Sequence, residues 1–173
     1  DCQSPILDIG GGAGALSRRL LQDLPKGRAV LLEMAEILTA ARKLYPRKNQ
    51  WTGMELRPGD FRNTKFTERF ATIIMANILH IYAPDEARRL LAKAAGLLVP
   101  GGLLLVHDYF PDRPGPALAK GSLYDLNMML NTCEGRCHDS GSIAAWFKEA
   151  GLSAIEINDL NSDSGIICAR SKR

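Results

Sequence analysis

Four glycines within five residues follow a short apolar run near the beginning of the chain. The segment Asp8-Ile9-Gly10-Gly11-Gly12-Ala13-Gly14 comes after Pro5-Ile6-Leu7 and leads into a helical pattern from Ala15 to Leu24. Glycine has no Cβ, so it adopts positive φ and lets the backbone approach a ligand closely. A helix start adds unpaired N–H groups and a partial positive charge. The pattern predicts a strand–turn–helix unit that binds a nucleoside-like ligand, with a purely structural glycine turn as the alternative.

The acidic residue that opens this segment, Asp8, bears on the kind of ligand. The spacing Gly10-x-Gly12-x-x-Ala15 also satisfies the fingerprint of dinucleotide-binding folds, in which a pyrophosphate lies on this turn. A carboxylate at the mouth of the turn would repel a pyrophosphate, but it suits the ammonium and sulfonium groups of S-adenosylmethionine. We therefore expect Asp8 to face a cationic adenosyl ligand, with Gly10, Gly12 and Gly14 shaping the turn.

Apolar strand patterns alternate with amphipathic helix patterns along the whole chain. Strands are predicted at residues 5–9, 29–33, 54–57, 71–76, 103–109, 154–158 and 165–169, and helices at 14–24, 35–44, 84–98, 117–130 and 142–150. A loop with three prolines is expected at 111–116. This alternation predicts an α/β fold, in which helices cover both faces of a parallel sheet.

Length and composition are those of one globular domain. The chain has 173 residues, of which 46% are hydrophobic and 24% are charged, and its net charge of +3 is small and scattered, which argues against a nucleic-acid partner. No apolar run approaches the roughly 18 residues that cross a bilayer, and no signal peptide is visible, so a cytoplasmic protein without a membrane partner is predicted. The chain begins at Asp1, directly before its first strand, which suggests the C-terminal domain of a longer protein.

The cysteines do not indicate a metal centre. Cys2, Cys133, Cys137 and Cys168 are widely spread and need not pair. Cys133, Cys137 and His138 lie close together in sequence, but their spacing matches neither the paired zinc pattern nor a haem attachment motif. We expect no metal.

Ligands of open α/β sheets bind beyond the carboxyl ends of the strands. The residues at those ends are Asp8, Glu33, Met34, Gly59, Asp60, Phe61, Asn77, His80 and Asp108. Glu33 follows the glycines by about 20 residues, the spacing of an acid that binds ribose hydroxyls, although a solvated helix-start residue is the alternative. Asp60 beside Phe61 suits an adenine, because the carboxylate can accept a hydrogen bond from the exocyclic amine. The alternative is that Asp60 is a simple turn residue.

His80 and Asp108 form a candidate catalytic pair. His80 lies just beyond the fourth strand, and Asp108 ends the neighbouring fifth strand. The carboxylate can accept from one imidazole nitrogen and leave the other free as a general base. A structural histidine and a loop-start acid are the corresponding alternatives.

The ordered set of motifs resembles the catalytic domain of S-adenosylmethionine-dependent small-molecule O-methyltransferases, in the branch that contains acetylserotonin and caffeate-type enzymes. The matching segments are Asp8 to Gly14, Pro58 to Phe61, Asn77 to His80, Leu98 to Gly102, Leu126-Asn127-Met128 and Ala150-Gly151. The resemblance implies a Rossmann-like, mostly parallel seven-stranded sheet whose last strand is antiparallel. It also implies that Gly10, Glu33, Gly59, Asp60, Phe61 and Asn77 contact the cofactor.

The resemblance further implies the reaction and the partners. His80 falls on the family's catalytic base, Asp108 matches an acid beside it, and Asn127 and Asn131 match positions that face the acceptor. The expected reaction moves a methyl group from S-adenosylmethionine to a hydroxyl of a small, aromatic molecule, leaving S-adenosylhomocysteine, without a metal. Relatives carry an N-terminal dimerisation domain, so a homodimer is expected for the full-length protein.

Three other functions are compatible with parts of the pattern. A nicotinamide oxidoreductase would share the sheet, but Asp8 and Gly59-Asp60-Phe61 argue against it. A nucleic-acid or protein methyltransferase is disfavoured because Asn77-Ile78-Leu79-His80 stands where DNA amino-methylating enzymes carry an Asn/Asp-Pro-Pro-aromatic turn. A catalytically silent binding module stays open because relatives often carry acids at the position of Ile81 and near Arg136.

Overall fold

Seven strands and five α-helices form the part of the chain that is described in this computed structural model, residues 1–113, 118–132, 134–160 and 164–172. The strands are β1 (Ile6–Ile9), β2 (Ala29–Glu33), β3 (Met54–Pro58), β4 (Phe70–Ala76), β5 (Leu98–Tyr109), β6 (Ser153–Asp159) and β7 (Ser164–Arg170). The helices are α1 (Ala15–Asp23), α2 (Ala35–Leu44), α3 (Pro84–Ala95), α4 (Leu118–Asn131) and α5 (Ser140–Glu149), with short 3₁₀ helices at Lys48–Trp51 and Leu79–Ile81.

The strands form one sheet in the order β3-β2-β1-β4-β5-β7-β6. Strands β1 to β5 pair in parallel, whereas β7 runs antiparallel to both β5 and β6. The predicted seven-stranded, Rossmann-like sheet with an antiparallel last strand is therefore confirmed. The chain leaves β1 towards β2 on one side and later returns to β4 on the other, so the strand order reverses between β1 and β4. Ligands bind at such a switch point.

Two apolar clusters cover the two faces of the sheet. Buried odd-numbered residues of β1, such as Leu7 and Ile9, pack in one cluster that includes the apolar faces of α3 and α5. Ile6 belongs to a smaller cluster on the opposite face, where Leu20 and Leu21 of α1 pack. Because β1 is fully buried, its sequence is a continuous apolar run broken by a single acid, Asp8.

The boundary between α3 and β5 differs from the sequence prediction. The helix was expected to reach residue 98 and the strand to begin at 103, but α3 ends at Ala95 and β5 begins at Leu98. Gly96 donates to the carbonyl oxygen of Ala92 and closes the helix, after which Leu98 pairs with Phe70 of β4. The Pro-Gly-Gly segment thus lies at an irregular beginning of the strand rather than at the end of the helix.

Helix α5 begins two residues earlier than predicted because a distant carboxylate satisfies its first turn. Asp112 Oδ1 accepts from the amide of Ser140 at 2.7 Å, and Asp112 Oδ2 accepts from the Ser140 hydroxyl at 2.7 Å. These bonds cross 28 residues of sequence, so local patterning does not reveal them. They also hold the pKa of Asp112 below its usual value despite the opposing effect of burial.

Some predicted features lie outside the described residues. These are Cys133 and the part of the proline loop from residue 114 onward, together with the first residue of the helix predicted at 117. Within the described ranges, none of the helices combines the length and apolar character needed to cross a lipid bilayer.

Candidate active site

A cavity of about 310 Å³ opens at the carboxyl edge of the sheet, where β1, β2 and β3 end beside β4 and α3. Six residues predicted to bind the cofactor line it: Gly10, Glu33, Met34, Gly59, Asp60 and Phe61. The apolar part of the wall includes Ile9, Leu32, Met75, Ile78, Ile81 and Leu90. A mostly apolar cavity with a few convergent charged groups, placed at a switch point, is the expected form of a small-molecule site.

The glycine turn after β1 needs glycine for its backbone. Gly10, Gly12 and Gly14 have φ of 64°, 57° and 71°, values that side-chain-bearing residues rarely adopt. Gly14 also precedes α1, and a Cβ on it would lie 2.9 Å from Leu31 Cδ2. The first glycine therefore shapes the cavity wall, and the last one lets α1 pack closely on β2.

Glu33 ties the glycine turn to the end of β2. Its Oε2 accepts from the amide of Gly12 at 3.0 Å, and its Oε1 accepts from the amide of Met34 at 2.8 Å. The carboxylate is half-buried and lines the cavity. Because two backbone amides fix its orientation, Glu33 presents a pre-positioned anionic acceptor to a ligand.

The segment after β3 carries the second cavity carboxylate. Asp60 accepts from the Arg62 guanidinium at 2.5 Å and from the Arg62 amide at 2.8 Å. These bonds to Arg62 hold the pKa of Asp60 below its usual range, although partial burial acts in the opposite direction. The Asp60 side chain is therefore ionised, and its carboxylate is oriented towards Arg62 in the same segment.

Lys93 of α3 positions this segment, a role that sequence patterns do not reveal. Its ammonium group donates to the carbonyl oxygens of Phe61, Arg62 and Thr64 at 2.5, 3.2 and 2.8 Å. It also lies 4.7 Å from the centroid of the Phe61 ring, within cation–π range. The buried Phe61 side chain is thus held against the cavity from the helix side.

Asp8 does not face the cavity, in contrast to the sequence prediction. Its carboxylate is 1% exposed and accepts from the Ser17 hydroxyl at 2.6 Å. A Cβ on Gly11 would lie 2.4 Å from Asp8 Cγ, so the glycine turn packs directly over it. Successive strand side chains point to opposite faces, and Asp8 shares the α1 face with Ile6, whereas Ile9 points to the cavity.

The buried Asp8 supports the glycine turn, and a contact of Asp8 with a ligand remains a prediction. Burial raises its pKa, and the negative charge of Glu33 adds to the increase, while the bonds to Ser17 lower it. Among the described residues, Asp8 Oδ1 has no hydrogen-bond partner. Of the two carboxylates that line the cavity, Glu33 contacts backbone amides, whereas Asp60 is paired with the guanidinium of Arg62, which lines the cavity as well.

His80 and Asp108 form the buried pair that the sequence predicted. The 3₁₀ helix at Leu79–Ile81 places His80 Nδ1 at 2.6 Å from Asp108 Oδ1 at the end of β5. Their exposed fractions are 5% and 4%. Asp108 Oδ1 also accepts from the amide of Tyr109 at 2.9 Å. Ile78 and Ile81, which are near His80 in sequence, line the cavity, so the pair lies beside it.

The second imidazole nitrogen of His80 has a hydrogen-bond partner, whereas the sequence predicted it to be free. The hydroxyl of Tyr124, on α4, lies 3.2 Å from His80 Nε2. The two rings meet edge to face with centroids 5.2 Å apart. Tyr124 was missed because nothing in the local sequence of a helix 44 residues away indicates this contact.

The three predicted asparagines lie outside the cavity wall. Asn77 directly follows β4, with an exposed side chain and a positive φ of 55°, and its amide donates to the carbonyl oxygen of His107. Asn127 and Asn131 share one face of α4 because they are four residues apart, but both are exposed. The Asn131 side-chain amide donates to Asn127 Oδ1 at 2.7 Å. Contacts of all three with ligands remain predictions.

Cys137 and His138 have structural surroundings. Burial, reinforced by the charges of Asp108 and Asp125, raises the pKa of the Cys137 thiol to about 12. His138 Nε2 lies 3.1 Å from the Leu79 carbonyl oxygen, and burial lowers the pKa of this imidazole. In the ranges that the structure covers, no group of three or more His, Cys, Asp or Glu residues is arranged to hold a metal ion.

Comparison with known proteins identifies the family of this chain. Residues 2–153 match the family model of the O-methyltransferase domain. The 3-amino-4-hydroxybenzoate 4-O-methyltransferase of Streptomyces cremeus is 26% identical over 97% of this chain and 46% of its own length.

Two solved structures share the fold. An O-methyltransferase family 2 protein from Planctomyces limnophilus, in complex with apigenin, is 28% identical with a TM-score of 0.85, over 96% of this chain and 50% of that one. Human N-acetylserotonin methyltransferase in complex with S-adenosylmethionine is 27% identical with a TM-score of 0.82, over 97% of this chain and 47% of that one. The chain thus spans about half the length of the proteins it matches. With most of its residues covered by the family model, this chain belongs to the O-methyltransferase domain family.

Proposed function

We propose that this chain is the catalytic domain of an enzyme that transfers a methyl group from S-adenosylmethionine to a hydroxyl of a small aromatic molecule. The observation that carries the proposal is the juxtaposition of two features at the sheet's switch point. One is the cavity lined by Gly10, Glu33 and Asp60, and the other is the buried His80–Asp108 pair beside it. The relatives named above are O-methyltransferases, and the structures of two of them are complexes with apigenin and with S-adenosylmethionine.

The residues of the cavity fit S-adenosylmethionine. The glycine turn leaves backbone close to the cavity, Glu33 offers a carboxylate suited to ribose hydroxyls, and Asp60 with Phe61 offers an acceptor and an apolar ring suited to adenine. The Glu33 carboxylate favours a cationic ligand over a phosphate-bearing one, whereas the charge of Asp60 is paired with Arg62. When bound, S-adenosylmethionine supplies an electrophilic methyl group on a positively charged sulfur.

His80 is the proposed general base. Asp108 accepts at Nδ1, so the neutral imidazole carries its proton there and presents Nε2 as the proton acceptor. Nε2 then takes the proton of the acceptor hydroxyl as the oxygen attacks, and the Asp108 carboxylate stabilises the imidazolium that forms. Burial of both residues strengthens this interaction because little water screens it. No residue in this step requires a metal.

Further properties of the whole protein are part of the same proposal. We infer that the full-length protein is a cytoplasmic homodimer, and that a preceding domain closes over the acceptor. Its partner is a small molecule rather than a nucleic acid or a membrane, which the small net charge of +3 supports. Asn77, Asn127 and Asn131 are proposed to contact cofactor or acceptor once that closed form is reached.

Methyl transfer to a panel of small phenols tests the proposal. The full-length protein that contains this chain is incubated with methyl-labelled S-adenosylmethionine and each phenol. O-methylated product is detected by mass spectrometry. We expect product with at least one phenol and none with DNA, RNA or protein added instead. Tight S-adenosylmethionine binding without turnover of any phenol would favour the catalytically silent module, and labelled macromolecule would favour the alternative methyltransferase.

A further inference from the structure

Tyr124 occupies the position beside the proposed base that an acceptor hydroxyl needs. Its phenolic oxygen lies 3.2 Å from His80 Nε2. Its ring stacks on Tyr109 with centroids 4.2 Å apart and an interplanar angle of 29°. The structure therefore holds a phenol, supplied by the chain itself, against the nitrogen that would take the proton.

The direction of this hydrogen bond follows from the partner of the other nitrogen. In the neutral form that a general base requires, the imidazole donates from Nδ1 to Asp108 and carries its in-plane lone pair on Nε2. In that form Tyr124 donates its O–H to Nε2. Burial raises the pKa of Tyr124, and the negative charge of Asp108 raises it further, so the phenol keeps its proton and stays a donor. One lone pair accepts one hydrogen bond, and Tyr124 already makes it.

We propose that the Tyr124 hydroxyl occupies the acceptor position, so that a phenolic acceptor must displace it from His80 Nε2. The inference rests on the proposed function. A phenol donates a hydrogen bond of the same kind that Tyr124 makes, so it can replace that bond, whereas an aliphatic alcohol is a weaker acid and donor. Tyr124 accordingly lowers the affinity of each acceptor hydroxyl for the base, and its removal should raise that affinity.

Removing the Tyr124 hydroxyl should make His80 Nε2 available to an added phenol while the aromatic ring stays in place. Tyr124→Phe keeps the ring that stacks on Tyr109 and deletes only the oxygen beside His80. Because a hydrogen bond of this kind contributes modestly to stability, we expect the affinity for added phenol to rise about two- to tenfold. Benzyl alcohol, an aliphatic hydroxyl on an aromatic ring, should gain about as much, because the same Tyr124 hydroxyl blocks both probes.

The experiment titrates phenol and benzyl alcohol into this chain and follows the imidazole nitrogen signals of His80 by ¹⁵N NMR. Wild type, Tyr124→Phe and the control Tyr45→Phe are compared. Tyr45 packs against Trp51 and Arg18, away from the cavity, so its variant should bind both probes as wild type does. In Tyr124→Phe the Nε2 signal should shift before any probe is added, and phenol should shift it further at lower concentration than in wild type.

Equal or weaker phenol binding by Tyr124→Phe than by wild type would overturn the inference. In the full-length enzyme, we expect a lower KM for phenols with kcat retained. A kcat loss of about tenfold or more would overturn it as well, because Tyr124 would then relay the proton rather than block it. A further outcome is that neither wild type nor Tyr124→Phe methylates a phenol while the variant still binds phenol more tightly. That result would contradict the proposed function but support the displacement of the Tyr124 hydroxyl by phenol.

Discussion

Replacing His80 with alanine should lower kcat by about 100-fold or more while leaving the Kd of S-adenosylmethionine within about twofold of wild type. The expected loss is large because the variant lacks the nitrogen that takes the acceptor proton. Cofactor binding should persist because the His80 side chain is not part of the cavity wall. Steady-state methyl transfer in the full-length protein gives kcat, and calorimetry gives the Kd.

This variant also leaves Asp108 buried without its imidazole partner, so folding must be checked separately. Removing one member of a buried charged pair can cost about 3–5 kcal/mol, which circular dichroism and urea unfolding would reveal. His107→Gln is a matched control on β5, where the half-buried imidazole contacts Ser164 rather than the cavity. A folded His80→Ala protein with kcat within threefold of wild type, as expected for His107→Gln, would remove His80 from the mechanism.

Replacing Glu33 with alanine should weaken S-adenosylmethionine binding about 10- to 100-fold, since a hydrogen bond to a charged group is worth about 1.5–3 kcal/mol. Two effects combine in this loss. The variant lacks the carboxylate proposed to accept from the ribose, and the Gly12 amide loses the acceptor that holds the glycine turn. Isothermal titration calorimetry with this chain measures the change.

Two companion variants separate these effects. Glu33→Gln keeps a side-chain oxygen for the Gly12 amide but removes the charge, so an intermediate loss is expected. Glu36→Ala removes an exposed carboxylate from the first turn of α2, outside the cavity wall, and should leave the Kd within twofold of wild type. An unchanged Kd in Glu33→Ala would refute the ribose role.

Much of the fold was predictable because its signals are local. Each central strand is a continuous apolar run, and each helix has an apolar stripe, so the alternation of the two predicts the parallel sheet. Residues at the carboxyl ends of parallel strands must meet at one edge, which is why Glu33 and Gly59 to Phe61 were predicted to share the cavity that they line. The same logic predicted the contact between His80 and Asp108.

The rest depends on contacts between segments distant in sequence. Lys93 reaches three carbonyl groups about 30 residues away, and Tyr124 reaches His80 across 44 residues, and no local pattern specifies either contact. Asp8 is a different case, because strand alternation alone places it on the face of Ile6 rather than that of Ile9. The charge of Asp8 suggested a ligand contact, whereas its strand position and the buried Ser17 account for its actual surroundings.

The central claim is that the Glu33 carboxylate makes this cavity select a cationic adenosyl donor over a dinucleotide. Calorimetric titration of S-adenosylmethionine and NADH into the same preparation of this chain, followed by competition between them, tests it most directly. Placing like charges together costs several kcal/mol, so S-adenosylmethionine should bind at least about 100-fold more tightly and displace any bound NADH. Binding of NADH with equal or higher affinity, at a site from which S-adenosylmethionine cannot displace it, would contradict the account.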